Sequence, residues 1–176
     1  AWQRRLFEAG WLVPGWPREH GGRDATPTQQ MIYFEELAVR EIPRTLNLGG
    51  LSIVAPSIRE CGSPEQRERF LLRTLRAELS WCLGMSEPGA GSDLASLSTR
   101  AVLDGDHFVV NRQKVWTSGA QHSDWCLCFV RTDPDLPKHK GISALIVDMT
   151  APGVQCRPFP ELSDREHCDF NEVFFT

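Results

Sequence analysis

The period of the apolar residues changes once along this chain, near residue 79, and that change limits the fold more than any other feature of the sequence. Before it, apolar side chains recur at intervals of three and four, the spacing that gathers them on one stripe of a helix. Thr26-Pro27-Thr28-Gln29 supplies an N-cap, a proline at the first helical position and a Gln placed to close a capping box. Met31, Phe34, Leu37 and Ala38 follow as its predicted buried stripe, and Pro43 is the expected stop. A second helix should carry Leu51, Val54 and Ile58 on one face, kink at Pro56 and end at Cys61-Gly62. Ser63-Pro64-Glu65-Gln66 repeats the cap pattern, with Phe70, Leu71 and Leu75 inward and arginines outward as a solvated face.

From Leu79 the period is two. Leu79, Trp81, Leu83 and Met85 alternate with Ser80, Cys82, Gly84 and Ser86, which predicts a half-buried strand. Further strands are expected at 98–103, 108–111, 125–130, 142–148, 154–159 and 173–175, with turns at Asp104-Gly105 and Pro152-Gly153. Helices followed by strands, without alternation, predict an α+β multidomain chain rather than a parallel α/β sheet. The expected units are a helical domain over 1–78 and an antiparallel β-barrel or sandwich-like domain over 79–176.

Bulk properties remove several classes of function. A net charge of -4 gives no whole-surface attraction for nucleic acid or anionic lipid. No apolar run approaches the ~20 residues of a membrane-spanning helix. The opening Ala1-Trp2-Gln3-Arg4-Arg5-Leu6-Phe7 lacks the features of a secretory signal, so the expected location is the bacterial cytoplasm or the mitochondrial matrix. Six cysteines without a CxxC pair read as reduced thiols. Cys126 and Cys128 should share one strand face as small core side chains, and with His122 they lack the spacing of a metal site, so no metal is expected.

The strand ending at Met85-Ser86 runs into Glu87-Pro88-Gly89-Ala90-Gly91-Ser92-Asp93. Such a segment leaves the sheet, turns on proline and glycine, and exposes amides and hydroxyls that could cradle phosphate oxygens. A P-loop is excluded because Gly91-Ser92-Asp93 puts an acid where the lysine belongs, and a dinucleotide fingerprint is excluded because strands flank both sides. An ordinary turn without a ligand stays open on these residues alone.

Trp81 to Asp93, Trp-Cys-Leu-Gly-Met-Ser-Glu-Pro-Gly-Ala-Gly-Ser-Asp, is similar to the signature segment of the acyl-CoA dehydrogenases. Other segments resemble the same family in the same order. Upstream are Gly15 to Gly22, Phe34-Glu35-Glu36-Leu37 and Cys61 to Arg67; downstream are Gln113 to Ala120 and the closing Asn171-Glu172-Val173-Phe174-Phe175. The resemblance implies FAD as cofactor, an acyl-CoA thioester as substrate and a trans-2-enoyl-CoA as product. It also implies electron transfer flavoprotein as acceptor, a place in fatty acid β-oxidation and a homo-oligomer, dimer or tetramer, in the full-length form.

By motif position, Leu83, Met85 and Ser86 resemble residues that present backbone and hydroxyl groups to the flavin ring. Ser92 resembles the hydroxyl that meets the FAD pyrophosphate or the CoA moiety. Trp116, Thr117 and Ser118 resemble the second flavin contact, with Ser118 near N5. Glu87, beside a proline in a turn, is read as a group that positions backbone rather than as an acid or base. No catalytic residue is assigned within the chain, because the resemblance places the catalytic Glu in a C-terminal four-helix domain expected beyond Thr176; the fragment alone is expected not to turn over. One departure stands out: where the family has Asn-Gly before Gln-Lys, this chain has Asn111-Arg112, a harder residue for a left-handed turn position. Two rivals keep the scaffold: an acyl-CoA oxidase-type flavoenzyme, and a non-catalytic subunit of a hetero-oligomeric dehydrogenase.

Overall fold

The computed structural model describes residues 2–162 and 168–176. The chain divides into two compact units, Ala1–Leu79 and Ser80–Thr176.

The first unit is helical. Its elements are α1 (Trp2–Glu8), α2 (Pro27–Val39), a π-helical turn Gly50–Val54 that continues into α3 (Ala55–Cys61), and α4 (Pro64–Gln66), joined through a second π-helical turn Arg67–Leu71 to α5 (Leu72–Leu75). Both capping boxes form. Thr26 and Ser63 each accept an amide hydrogen bond three residues on, and Gln29 and Gln66 return one to the cap amide. The core is Val54, Ala55, Ile58, Phe70, Leu71 and Leu75. Gln3 pins α1 against it by donating to the Thr74 and Leu75 carbonyls, 3.2 Å each.

Three expectations for this unit fail. No residue of α2 is buried, and Met31 and Phe34 stand 64% and 52% exposed. The helix touches the unit instead through Tyr33, whose ring stacks on Trp11 at 5.0 Å. Phe34, Leu37 and Ala38 face an open hollow of about 600 Å³ rather than a packed wall. The helix also stops at Val39, before Pro43, because Glu41 takes a left-handed conformation (φ 51). Pro56, for its part, falls in the first turn of α3, where its missing N–H is harmless; the irregularity beside it is the π-helical turn.

The second unit follows the expected succession of helices by strands, as one curled seven-stranded sheet. Its strands are β1 (Trp81–Gly84), β2 (Arg100–Asp104), β3 (His107–Ser118), β4 (Trp125–Arg131), β5 (Ile142–Asp148), β6 (Val154–Pro158) and β7 (Phe170–Phe175). The order is β1-β4-β2-β3-β7-β6, with β5 on β4. The sheet is mixed rather than wholly antiparallel. β1 lies parallel to β4, and β2 meets β4 in parallel at Arg100 and Arg131. A parallel neighbour needs a long crossover, and the β2–β3 hairpin, turning at Gly105 (φ 62), fills that connection.

β1 is not half-buried. Trp81 and Cys82 are both covered, at 4% and 2%, because the strand is enclosed on both faces. Gly84 is fitted to that enclosure: a β-carbon there would sit 3.0 Å from the sulfurs of both Cys126 and Cys128. Those two thiols, fully buried, join Cys82, Ala101, Ala120, Val130, Val173 and Phe175 in the core, and all six cysteines are free. Among the described residues no helix is long and apolar enough to cross a membrane.

Candidate functional site

The site forms where the end of β1 meets the second half of β3. Past Gly84 the chain leaves the sheet and closes a tight turn, with the Glu87 amide on the Ala90 carbonyl at 2.8 Å and the Ala90 amide on the Glu87 carbonyl at 3.1 Å. Gly89 and Gly91 face open space, where a β-carbon would meet nothing within 4 Å. Ser86 is half-buried and Ser92 exposed.

β3 arrives on the other side with two backbone irregularities. Arg112 has φ 132 inside the strand, so the position expected to be a left-handed turn is a kink in a continuous strand instead. Between Lys114 and Thr117 the register against β7 slips by a β-bulge, and Trp116 there takes φ 60. In a regular strand residues 114, 116 and 118 would share a face. The bulge breaks that rule: Lys114 (0% exposed) and Thr117 (1%) turn into the core, while Trp116 (59%) and Ser118 turn outward. A positive φ at a tryptophan costs about 1–3 kcal/mol and persists where surrounding contacts over-determine it.

Those contacts are present. The Trp116 ring meets Phe159 edge-on at 5.0 Å and Phe170 at 5.6 Å, beside an open hollow of about 610 Å³ that Pro160 and Leu162 also border. From behind, the buried Asn171 donates its amide to the Thr117 carbonyl at 3.2 Å and to the Gln121 side chain. The Gly119 amide donates to the Asp169 carbonyl at 2.7 Å.

The two stretches touch directly. The Val115 amide donates to the Ser86 carbonyl at 2.9 Å. The Lys114 ammonium donates to the Met85 carbonyl at 3.1 Å and to the Glu87 carboxylate at 2.9 Å. Glu87 also accepts from the Ser98 amide (2.7 Å), the Ser98 hydroxyl (2.8 Å) and the Thr99 amide (2.8 Å). Burial alone would raise the Glu87 carboxyl, but the Thr99 side chain, the Ser98 and Thr99 amides and Lys114 outweigh it and hold its pKa at about 2. The carboxylate is therefore committed to holding backbone. Asp93, at the far end of the turn, pairs with Lys138 at 2.8 Å in solvent.

Sequence-marked residues thus fall into three groups. Leu83, Met85, Ser86, Trp116 and Ser118 lie on stretches joined by hydrogen bonds; Thr117 is on the same stretch with its side chain in the core; Ser92 stands at the outer end of the turn. Lys114 and Asn171 escaped the sequence reading. A lysine in a strand reads as solvent-facing, yet Lys114 keeps the inward alternation of Val110 and sits opposite the buried Val173. The available signal was the pairing of one carboxylate in the turn with one lysine in a strand, which spacing alone does not connect.

Comparison with known proteins identifies the family. Residues 1–78 match the N-terminal domain of the acyl-CoA dehydrogenases, and residues 82–176 match their middle domain. The chain belongs to the acyl-CoA dehydrogenase family. It is 45% identical over 175 residues to the acyl-CoA dehydrogenase IpdE1 of Mycobacterium tuberculosis, covering 99% of this chain and 45% of that protein. Among solved structures, the ChsE4-ChsE5 complex of Mycobacterium tuberculosis superposes with a TM-score of 0.84 at 40% identity, covering 99% of this chain and 44% of that one. The Tcur3481-Tcur3483 steroid acyl-CoA dehydrogenase superposes at 0.85 with 36% identity, covering 99% and 44%. The chain thus spans less than half the length of these relatives.

Proposed function

We propose that this chain is the flavin-binding part of an FAD-dependent acyl-CoA dehydrogenase that introduces a trans double bond between the α and β carbons of a CoA thioester. The observation that carries this reading is the Val115–Ser86 hydrogen bond, because it makes one wall out of two stretches far apart in sequence. The residues present suit the isoalloxazine ring. Trp116 offers an exposed aromatic face, Ser86 and Ser118 offer hydroxyls on the joined stretches, and Leu83 and Met85 offer the chain beside them. Thr117 contributes main chain alone, since its side chain is inward. The open turn at Gly89 and Gly91, with Ser92 beyond it, suits the pyrophosphate or the CoA moiety.

Bound FAD would supply the acceptor for the hydride from the β-carbon, and the ring's chemistry is tuned by the hydrogen bonds the protein gives it. The work of this chain is orientation: a flat ring held against a rigid wall leaves one face for substrate. The base that takes the α-proton is assigned to the rest of the protein. The relative described as a steroid acyl-CoA dehydrogenase favours a thioester of steroid origin over a simple fatty acyl chain. Electron transfer flavoprotein is the proposed acceptor.

The test is the visible spectrum of the purified full-length protein, with FAD release measured for Ser86→Ala and Ser118→Ala. A yellow protein whose flavin band moves in both variants supports the reading; a colourless protein, or a band indifferent to both changes, ends it. A second reading, a subunit that works only in a hetero-oligomer, is favoured by the two-protein ChsE4-ChsE5 complex and would show as dye reduction that appears only after a second dehydrogenase-type chain is co-expressed.

A further inference from the structure

We infer that Lys114 and Glu87 are a positioning pair: they lock residues 85–87 to the β3 bulge and so fix where the Ser86 and Ser118 hydroxyls stand relative to one another. This rests on the flavin reading above. The pair is enclosed, with side chains 0% and 4% exposed, and the ammonium and both carboxylate oxygens carry hydrogen bonds. Lys114 bridges Met85 and Glu87, the next amide, Val115, takes Ser86, and Glu87 ties the whole to Ser98 and Thr99 at the entry of β2. Three consecutive residues of one stretch are therefore held by two consecutive residues of the other. The bulge with Trp116 in its unfavoured conformation begins at the residue after Val115.

Stability alone is a weak reason for such a pair. Two desolvated charges in a core are commonly matched or bettered by apolar side chains of the same volume. Apolar residues cannot, however, hold a chosen carbonyl at a chosen place. What the ion pair adds is directionality, delivered to the segment that carries the proposed ring contacts. Neither residue faces the ring, so the pair acts through Ser86, Trp116 and Ser118.

The experiment uses the full-length protein with FAD bound and compares Lys114→Met, Lys114→Arg, Glu87→Gln and the charge-neutral double variant Glu87→Gln/Lys114→Met. Thermal midpoint, FAD affinity, the flavin absorption band and the flavin midpoint potential are read for each. A positioning role predicts FAD affinity lower by about tenfold or more in K114M, the order of loss seen when supporting hydrogen bonds behind a bound group are removed. It also predicts a displaced band and potential, with partial rescue in K114R. In the double variant the thermal midpoint recovers and the flavin band and potential do not. Recovery of all of them together would reduce the pair to a structural one and overturn the inference. Should K114M not fold, E87Q decides: an unchanged band and potential overturns the pair's role, and a displaced one supports it. A wild-type protein that binds no FAD refutes the proposed function itself, a separate result read before any variant.

Discussion

Glu87 and Asp93 sit at the two ends of one glycine-rich turn, and each holds a lysine at almost the same distance, 2.9 and 2.8 Å. Their surroundings differ. The Glu87–Lys114 side chains are 4% and 0% exposed, while Asp93 and Lys138 are 56% and 52% exposed. The first pair exists in a medium that cannot replace a lost partner; the second is shared with water and salt. Distance therefore says little about what an ion pair does, and depth with the count of further hydrogen bonds says most. The inner pair also reaches four backbone groups, at Met85, Ser98 and Thr99 directly and at Ser86 through the adjoining Val115 amide, whereas among the described residues the outer pair adds the Ser96 hydroxyl.

Removing one partner of the inner pair gives the largest expected effect. Lys114→Met strands a buried carboxylate, and breaking a buried pair from one side costs about 3–5 kcal/mol. Chemical denaturation of the β unit checks this; a loss no larger than that of a surface substitution would erase the contrast between the two pairs.

Acid should separate them next. The Glu87 carboxyl is held at about 2 against 4.5 for an unperturbed group. Its folded-state value is depressed, so its contribution is complete above pH 4.5, where the unfolded chain is also ionised, and is lost as pH falls toward 2. That window is worth about 3 kcal/mol at 1.4 kcal/mol for each pKa unit. Denaturation curves collected down through it should lose stability in the wild type, and Glu87→Gln should flatten most of that slope. An unchanged slope in E87Q would assign acid sensitivity elsewhere.

The backbone of β3 gives a third and smaller effect, of opposite sign. Arg112 is exposed and its φ of 132 belongs to glycine territory, so Arg112→Gly relieves strain and removes little packing. The expected gain is about 1 kcal/mol, visible as a raised thermal midpoint with Ser86, Trp116 and Ser118 untouched. A lowered midpoint would mean that the kink is maintained by contacts of the arginine itself.

These contrasts also explain what was legible in the sequence. The two capping boxes and the Asp104-Gly105 hairpin were readable because each is decided by residues within a few positions of one another. The change from helices to strands was readable because period is a local property. The buried stripe of α2 was not, since whether an apolar face is covered depends on what packs against it, and Met31 and Phe34 have an amphipathic pattern without a wall. Nor were the two covered faces of β1, or Lys114, whose inward place is set by its pairing opposite the buried Val173 of β7, a long way along the chain. For the site, motif position marks the candidate hydroxyls, while the ion pair that joins their two stretches is formed only by the folded chain.

The smallest effect is expected at the outer pair, and it is the sharpest check on the comparison. The Asp93 carboxyl is lowered by its hydrogen bonds from Lys138 and Ser96, the same direction as Glu87, so a reading by pKa direction alone would treat the two carboxylates alike. Solvent distinguishes them: Lys138→Ala leaves Asp93 free to take water in place of the ammonium, at no lasting cost. The thermal midpoint of K138A should match wild type at both low and high salt. If instead K138A falls as K114M does, exposure is the wrong variable, and the turn from Glu87 to Asp93 behaves as one rigid unit clamped at both ends by its lysines.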